Sequence, residues 1–455
     1  MIVIGLITAF VLGLSVINFI SRDFSILEKI GFSYIIGIGL ETLFMFILDV
    51  MNIRFTGSIL IFVSLICILV LNYKNIKNSK NIIGKIRHFD LKLPKINIKK
   101  IKLVWLFFFI LTCFLLYGSV SKCLYWPTSA YDNVTSFDLM GKVMGIEGKI
   151  YNSLFEVDGV AVRSVGTGAD YPPLVAGNFA FAYSFGSATS KIMSALLFVF
   201  FVIAFYSLLV KYINKTSSMI FTFFMIIAPE MFAFTSLSTS NIPFMIYTAS
   251  AIITLFIWFD KKEKKYLFIS SILMFFSTWA RGEGIAFFGV AFVMLLFDSI
   301  KNKNWKELLI YSSIVLFSII SWNLYLKFTI EITQNRFITH LFWDYSKFLK
   351  ILTGVKTLIT NTNLYGISFY MFFLVFLLNI KNLFKDKIHL VIMILLSLSA
   401  YSSLFYQIDN EVQRASIESL MMSSYKRGLF TFIPLIWFYI SMTKITNFVF
   451  GRLED

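Results

Sequence analysis

Runs of apolar residues long enough to cross a bilayer recur along this chain, and they constrain its fold more than any other feature. A hydrocarbon core of ~30 Å takes roughly 20 predominantly apolar residues as a helix. About thirteen stretches approach that length: 1 to 20, 30 to 50, 57 to 73, 103 to 121, 191 to 210, 217 to 235, 243 to 259, 266 to 280, 284 to 298, 308 to 328, 364 to 380, 388 to 406 and 428 to 446. With 58% hydrophobic and 15% charged residues and a mean hydropathy of +0.79, the chain exceeds the ~45–50% apolar share of soluble domains. The expected class is an all-α polytopic integral membrane protein. Its first run has no basic residue before it and no small-residue cleavage site after it, so it is expected to remain as a helix.

Lys and Arg give the orientation. Segments 21 to 29, 74 to 102, 211 to 215, 260 to 265, 299 to 307, 381 to 387 and the C-terminal tail hold most of the 41 basic residues, and they alternate with segments of near-zero net charge. The basic set is expected in the cytoplasm. The net charge of +16 then reads as topology and contact with anionic lipid head groups, and it calls for no nucleic-acid partner. The longest segments on the opposite, extracytoplasmic side are 122 to 190, 329 to 363 and 407 to 427. Chemistry is expected there, because the basic hairpins have little with which to build a domain. Cys67, Cys113 and Cys123 are scattered and suggest neither a disulfide frame nor a metal site. Glu41 alone stands well inside a span and is given no role.

The stretch YDNVTSFDLMGKVMGIEG, residues 131 to 148, places Val134, Phe137, Met140 and Met144 at helical spacing, with Asp138 and Lys142 four apart on another face. An amphipathic helix along the outer membrane surface is expected, steadied by an Asp138–Lys142 pair. Asp132 precedes it, where a carboxylate either caps the helix or receives a proton from a substrate at the membrane surface; Asn133 is an alternative cap. In GADYPPL each proline favours extended backbone just before it, so Tyr171 to Pro173 are expected to hold the chain straight before it turns into an apolar stretch, with Asp170 directly before them.

The order of these pieces resembles the first outer loop of membrane-embedded GT-C glycosyltransferases. An acidic residue follows a transmembrane helix, then come an amphipathic helix ending in Gly, a PPL segment and an apolar stretch closing with FG. The likeness is strongest to the branch of protein O-mannosyltransferases and aminoarabinose transferases. TSLSTSNIP at 235 to 243 is similar to that family's short outer turn, and KRGLFTFIP at 426 to 434 to its Arg-led start of a late helix. Asn133 stands where the family often has a second acid, and Tyr171 where the aminoarabinose branch has a lysine.

The resemblance implies a GT-C-type bundle in which 103 to 455 form the catalytic core and 1 to 102 are accessory helices with a basic loop. It implies inverting transfer of a sugar from a polyprenyl-phosphate donor to a glycan, lipid or protein acceptor outside the cytoplasm. Asp132 is then the catalytic base. Arg281, Arg427 and Lys426 are the candidates to meet the phosphate of the leaving lipid, with Arg163 and Arg336 behind them. Asn133, Asp170, Tyr171 and Glu283 are expected to position substrate. Arg281 and Glu283, two apart, are not expected to pair with each other on a helix. Glu230 is expected to be solvated, along with most other outer carboxylates. No metal or other cofactor is required by this reading. The Lys-, Asn- and Ile-rich composition suggests a prokaryotic plasma membrane. A lipid-linked oligosaccharide polymerase, a flippase or a transporter is the alternative from another class.

Overall fold

The computed structural model describes residues 1–77, 102–128, 133–155, 171–331, 343–382, 388–408 and 416–450. Among the described residues every element is helical. The principal helices are α1 Ile2–Ile20, α2 Ile26–Val50, α3 Gly57–Lys77, α4 Leu103–Tyr125, α5 Asp138–Glu147, α6 Leu174–Ser184, α7 Lys191–Leu209, α8 Lys215–Ile226, α9 Pro229–Phe234, α10 Asn241–Lys261, α11 Lys264–Ala280, α12 Gly284–Asn302, α13 Trp305–Phe328, α14 Tyr345–Ile359, α15 Ser368–Leu378, α16 Ile388–Gln407 and α17 Phe432–Ser441. Eight of them, α1, α2, α4, α7, α10, α12, α13 and α16, are long and apolar enough to cross a membrane.

Of the other expected runs, 57 to 73 lies within α3 and 266 to 280 within α11, while three are divided or shortened, each with a local cause. Run 217 to 235 divides into α8 and α9 because Pro229 pushes Ala228 into an extended conformation. Run 364 to 380 breaks at Gly366, whose φ of +59° lies in the left-handed region. Run 428 to 446 opens with the 3-10 turn Leu429–Thr431 before α17. The close pair at 266 to 298 divides into α11 and α12, as the sequence suggests.

Helix α10 forms the axis of the core. Its apolar length is buried on all sides, and α7, α11, α12, α16 and α17 pack around it. Helix α2 packs against α1, α7, α6 and α11, so the N-terminal helices share one continuous core with the rest. Helix α4 lies at the periphery with Phe107, Phe114 and Tyr117 exposed, as a lipid-facing helix would.

Small residues set the tightest contact. A Cβ on Gly13 would fall 1.8 Å from the Ser33 carbonyl oxygen, and one on Gly37 would fall 1.8 Å from that of Ala9. Ala9 and Gly13 on α1 thus interlock with Ser33 and Gly37 on α2, the spacing by which membrane helices bring their backbones together. Between layers, the Glu41 carboxylate accepts a 2.6 Å bond from the Ser64 hydroxyl of α3.

Polar contacts gather at two opposite ends of the bundle. At one end Glu28 accepts from the Ser25 N–H at 2.8 Å and the Tyr266 hydroxyl at 2.7 Å, and it pairs with Lys211 at 3.2 Å. Lys262 meets Asp298 at 2.7 Å in the same set of basic hairpins. At the other end Asp49 accepts from the Ile150 N–H at 2.8 Å and from the Tyr325 hydroxyl. There the Phe55 N–H reaches the carbonyl of Gly148 at 2.9 Å. Gly148 has φ +69°, and a Cβ on it would fall 2.6 Å from the Phe55 oxygen, so only glycine fits this docking. The pairing of loops therefore follows the division that Lys and Arg suggest.

The expected surface helix takes a different form. A π-type turn, Asn133–Phe137, leads into α5, which packs on α6 through Gly141 and Gly145, whose Cβ positions lie 2.6 Å and 2.7 Å from the Cβ atoms of Phe179 and Tyr183. Phe137, Met140 and Met144 are buried, but Val134 is exposed and Asn133 is buried. Asp138 does not pair with Lys142. The close approach to α6 brings the Tyr183 hydroxyl to 2.8 Å from it, and the Ser190 hydroxyl also donates to it.

The α1–α2 contact should be the most sensitive point of the N-terminal layer. Gly37→Val inserts three carbons where a carbonyl stands and should cost on the order of 1–3 kcal/mol. Gly118→Val, where nothing lies within 4 Å of the added Cβ, should leave thermal stability in detergent unchanged. Equal melting temperatures for the two variants would contradict the packing.

Candidate active site

The loop-rich end holds most of the residues singled out from the sequence that the structure describes. Asp132, Asp170, Arg163 and Arg336 lie outside the described residues. Of the others, Arg281, Glu283, Lys426 and Arg427 fall into two groups joined by a tyrosine.

The first group is built on the break between α11 and α12. Arg281 ends α11 with φ −153° and ψ 145°, an extended residue, and Glu283 sits just before α12. The chain then turns, with the Gly284 N–H donating to the Arg281 carbonyl at 3.0 Å, so the two side chains are not held at helical spacing. The expectation that Arg281 and Glu283 cannot pair is thereby corrected, since it assumed a helix through both. The Arg281 Nε donates to Glu283 Oε2 at 3.1 Å, its Nη2 donates to Oε1, and its Nη1 donates to Asn241 Oδ1 at 2.9 Å. This is the fork geometry in which a guanidinium grips a carboxylate with two bonds. Arg281 is only 5% exposed, and its guanidinium carbon lies 5.8 Å from the ring centre of Tyr171 and 5.4 Å from that of Phe244. Burial alone pulls the guanidinium down; Glu283, with Tyr171 and Tyr401, outweighs it and holds Arg281 above its ordinary range. Its charge is fixed at any working pH.

The second group is the KRG turn, Lys426–Gly428. The Lys426 Nζ pairs with Glu230 Oε1 at 2.6 Å, and the Lys426 carbonyl accepts the Tyr365 hydroxyl at 2.6 Å. Glu230 is therefore not solvated: α9 packs it against this turn, and its Oε2 is buried with no hydrogen-bond partner. Arg427 is half-buried, and its Nε donates to the Ser423 carbonyl at 2.8 Å.

Tyr401 links the two. It is fully buried on α16 within the field of Arg281 and Glu283, and a Cβ on Gly428 would fall 1.9 Å from its hydroxyl oxygen. That hydroxyl has no hydrogen-bond partner. Only glycine lets the KRG turn close over it.

Tyr171 faces both this centre and the outer loop. Its ring meets Phe137 edge-on at 5.3 Å, and it borders a narrow apolar crevice with Met140, Met144, Pro173 and Trp322. Asn133 is completely buried, and both polar atoms of its amide lack partners, as does the Ser136 hydroxyl one turn on. An amide left in that state costs stability unless a ligand or water answers it. Among the described residues no group of three His, Cys, Asp or Glu is placed to hold a metal ion.

Sequence reasoning brought Tyr171, Arg281 and Glu283 forward and missed Asn241, Glu230 and Tyr401. Asn241 lies within TSLSTSNIP, so its signal was present in the motif. Glu230 and Tyr401 carry no local signal, because only tertiary packing brings them to the site.

The chain matches no family model, no curated protein and no solved structure. The functional reading therefore rests on its own residues.

The Arg281–Glu283 pair should dominate the stability of this end. Glu283→Gln leaves a buried guanidinium without its counter-charge, and breaking a buried pair in this way costs about 3–5 kcal/mol. Asn241→Ala removes one bond and should cost less, about 1–3 kcal/mol. Thermal unfolding of both purified variants measures the order; a milder effect from Glu283→Gln would contradict the assigned pairing.

Proposed function

We propose that this protein is an inverting glycosyltransferase of the GT-C type. In this reading it has about thirteen spans in a prokaryotic plasma membrane, and it transfers a sugar from a polyprenyl-phosphate donor to an acceptor on the extracytoplasmic side. One observation supports the reading above the others. The separate sequence pieces that carry the resemblance lie at one end of the bundle: Tyr171 of the PPL segment stands over Arg281, Asn241 of the TSLSTSN turn bonds to it, and the KRG turn joins through Tyr401.

The chemistry follows from what each group offers. The acceptor oxygen attacks the anomeric carbon and gives its proton to the Asp132 carboxylate, while the bond from that carbon to the phosphate oxygen breaks and polyprenyl phosphate leaves. Arg427 meets the charge that builds on the departing phosphate, and Arg281 and Lys426 act as members of ion pairs that orient its approach. Asn133, Asp170, Tyr171 and Glu283 position the substrate, with the unanswered amide of Asn133 matched to hydroxyl groups. No metal is needed for any of these steps.

Asp132→Asn keeps the shape of the side chain and removes the proton acceptor, so the purified variant should fold normally and lose transfer from a polyprenyl-linked sugar. Near-normal transfer would remove Asp132 from catalysis. A flippase or transporter predicts that no single loop carboxylate abolishes turnover, so the same assay separates the two classes.

The orientation is tested independently. In a background lacking the three native cysteines, single cysteines at Ser153 and Asn78 should react with an impermeant reagent from opposite sides of the membrane. Labelling from the same side would overturn the placement of the site.

A further inference from the structure

Two cations of the proposed site are already matched, since Arg281 faces Glu283 and Lys426 faces Glu230. Lys191 is not. It opens α7 at the same end of the bundle, is 3% exposed, and its Nζ donates to the carbonyl of Trp126 at the end of α4. Among the described residues no carboxylate lies within ion-pairing distance of it. Asp138 accepts from Ser190, the residue before Lys191, and from Tyr183.

A buried ammonium carries a full charge and three donors. The negative end of α4 answers part of that charge, but Lys191 also stands in the first turn of α7, where the helix dipole is positive and a cation is disfavoured. One carbonyl leaves two donors unused. A second observation points the same way: Ser194 lies three residues on, on the same side of the helix, and its hydroxyl is fully buried without a partner. Side chains on a helix lean toward its N-terminus, which tilts Ser194 toward the turn that holds Lys191. Trp126 is 60% exposed and Pro127 is exposed, so the α4–α7 junction can be approached from the membrane boundary.

We propose that Lys191, assisted by Ser194, binds the phosphate of a lipid at the α4–α7 junction. This deepens the reading of the donor as a polyprenyl phosphate and rests on it. A phosphate oxygen takes the donors that Trp126 leaves unused, and the buried charge gains the counter-ion that the described chain does not supply.

The test measures binding, without requiring sugar transfer, on full-length protein in neutral nanodiscs. The probes are polyprenyl phosphate, the corresponding polyprenol and inorganic phosphate. Lys191→Gln should weaken polyprenyl phosphate at least about ten-fold, as expected for loss of a charged hydrogen bond, and leave polyprenol unchanged. Lys191→Arg should retain most of the affinity. Competition by inorganic phosphate would show that the site also takes the free ion; its absence would assign the site to the lipid. Unchanged affinity in Lys191→Gln would reduce Lys191 to a cap on α4 and overturn the proposal.

If Lys191→Gln does not fold, the wild-type protein gives the answer by amine acetylation read by mass spectrometry. Polyprenyl phosphate should protect Lys191 but not the exposed Lys142 of α5. Equal acetylation of Lys191 with and without the lipid, or none in either case, contradicts an accessible phosphate site. Binding through Lys191 in a protein that transfers no sugar would leave this site standing and remove the enzymatic reading. Transfer that is insensitive to Lys191 would do the reverse.

Discussion

A helix in lipid satisfies its own backbone but has nothing to offer a charge, so a chain that crosses an apolar layer repeatedly must sort its ionic groups to the two ends. That sorting organises the whole structure. Glu28, Lys211 and Lys262 are held among the basic hairpins, while Asp49, Arg281, Glu283, Glu230 and Lys426 are held among the longer loops. Each end is then dry enough for ion pairs to fix geometry. The two-bond grip of Arg281 on Glu283 depends on being removed from water, as an exposed pair of the same kind contributes little.

Much of the fold was legible because hydropathy and charge report directly on this constraint. The centres of the apolar runs are helices, and among the described residues the basic segments 21 to 29, 211 to 215, 260 to 265 and 299 to 307 meet at one end. Helix lengths were less legible. Pro229 and Gly366 interrupt runs whose hydropathy is continuous, and α17 begins only after a 3-10 turn. Composition over a window does not register a single residue that changes backbone direction.

The site was legible where motifs lie in order along the chain. Tyr171, Asn241 and Lys426 each sit in a short recognisable stretch, and the fold brings those stretches together. Two expectations fail for a shared reason, which is that local spacing does not report tertiary neighbours. Helical spacing pairs Asp138 with Lys142, yet the glycine face of α5 draws it to Tyr183 and Ser190. The same rule separates Arg281 and Glu283, yet the chain leaves the helix at Arg281. Glu230 and Tyr401 had no signal because nothing beside them in sequence hints at burial.

The central claim is that the loop-rich end receives the phosphate of a polyprenyl lipid. The most direct measurement is an experimental structure of the protein in a lipid bilayer with polyprenyl phosphate bound. The account predicts phosphate density at that end, within hydrogen-bonding reach of its basic side chains, with the lipid tail running down the helix surface. Density among the basic hairpins near Lys211 and Lys262, or no ordered phosphate at saturating lipid, would contradict it.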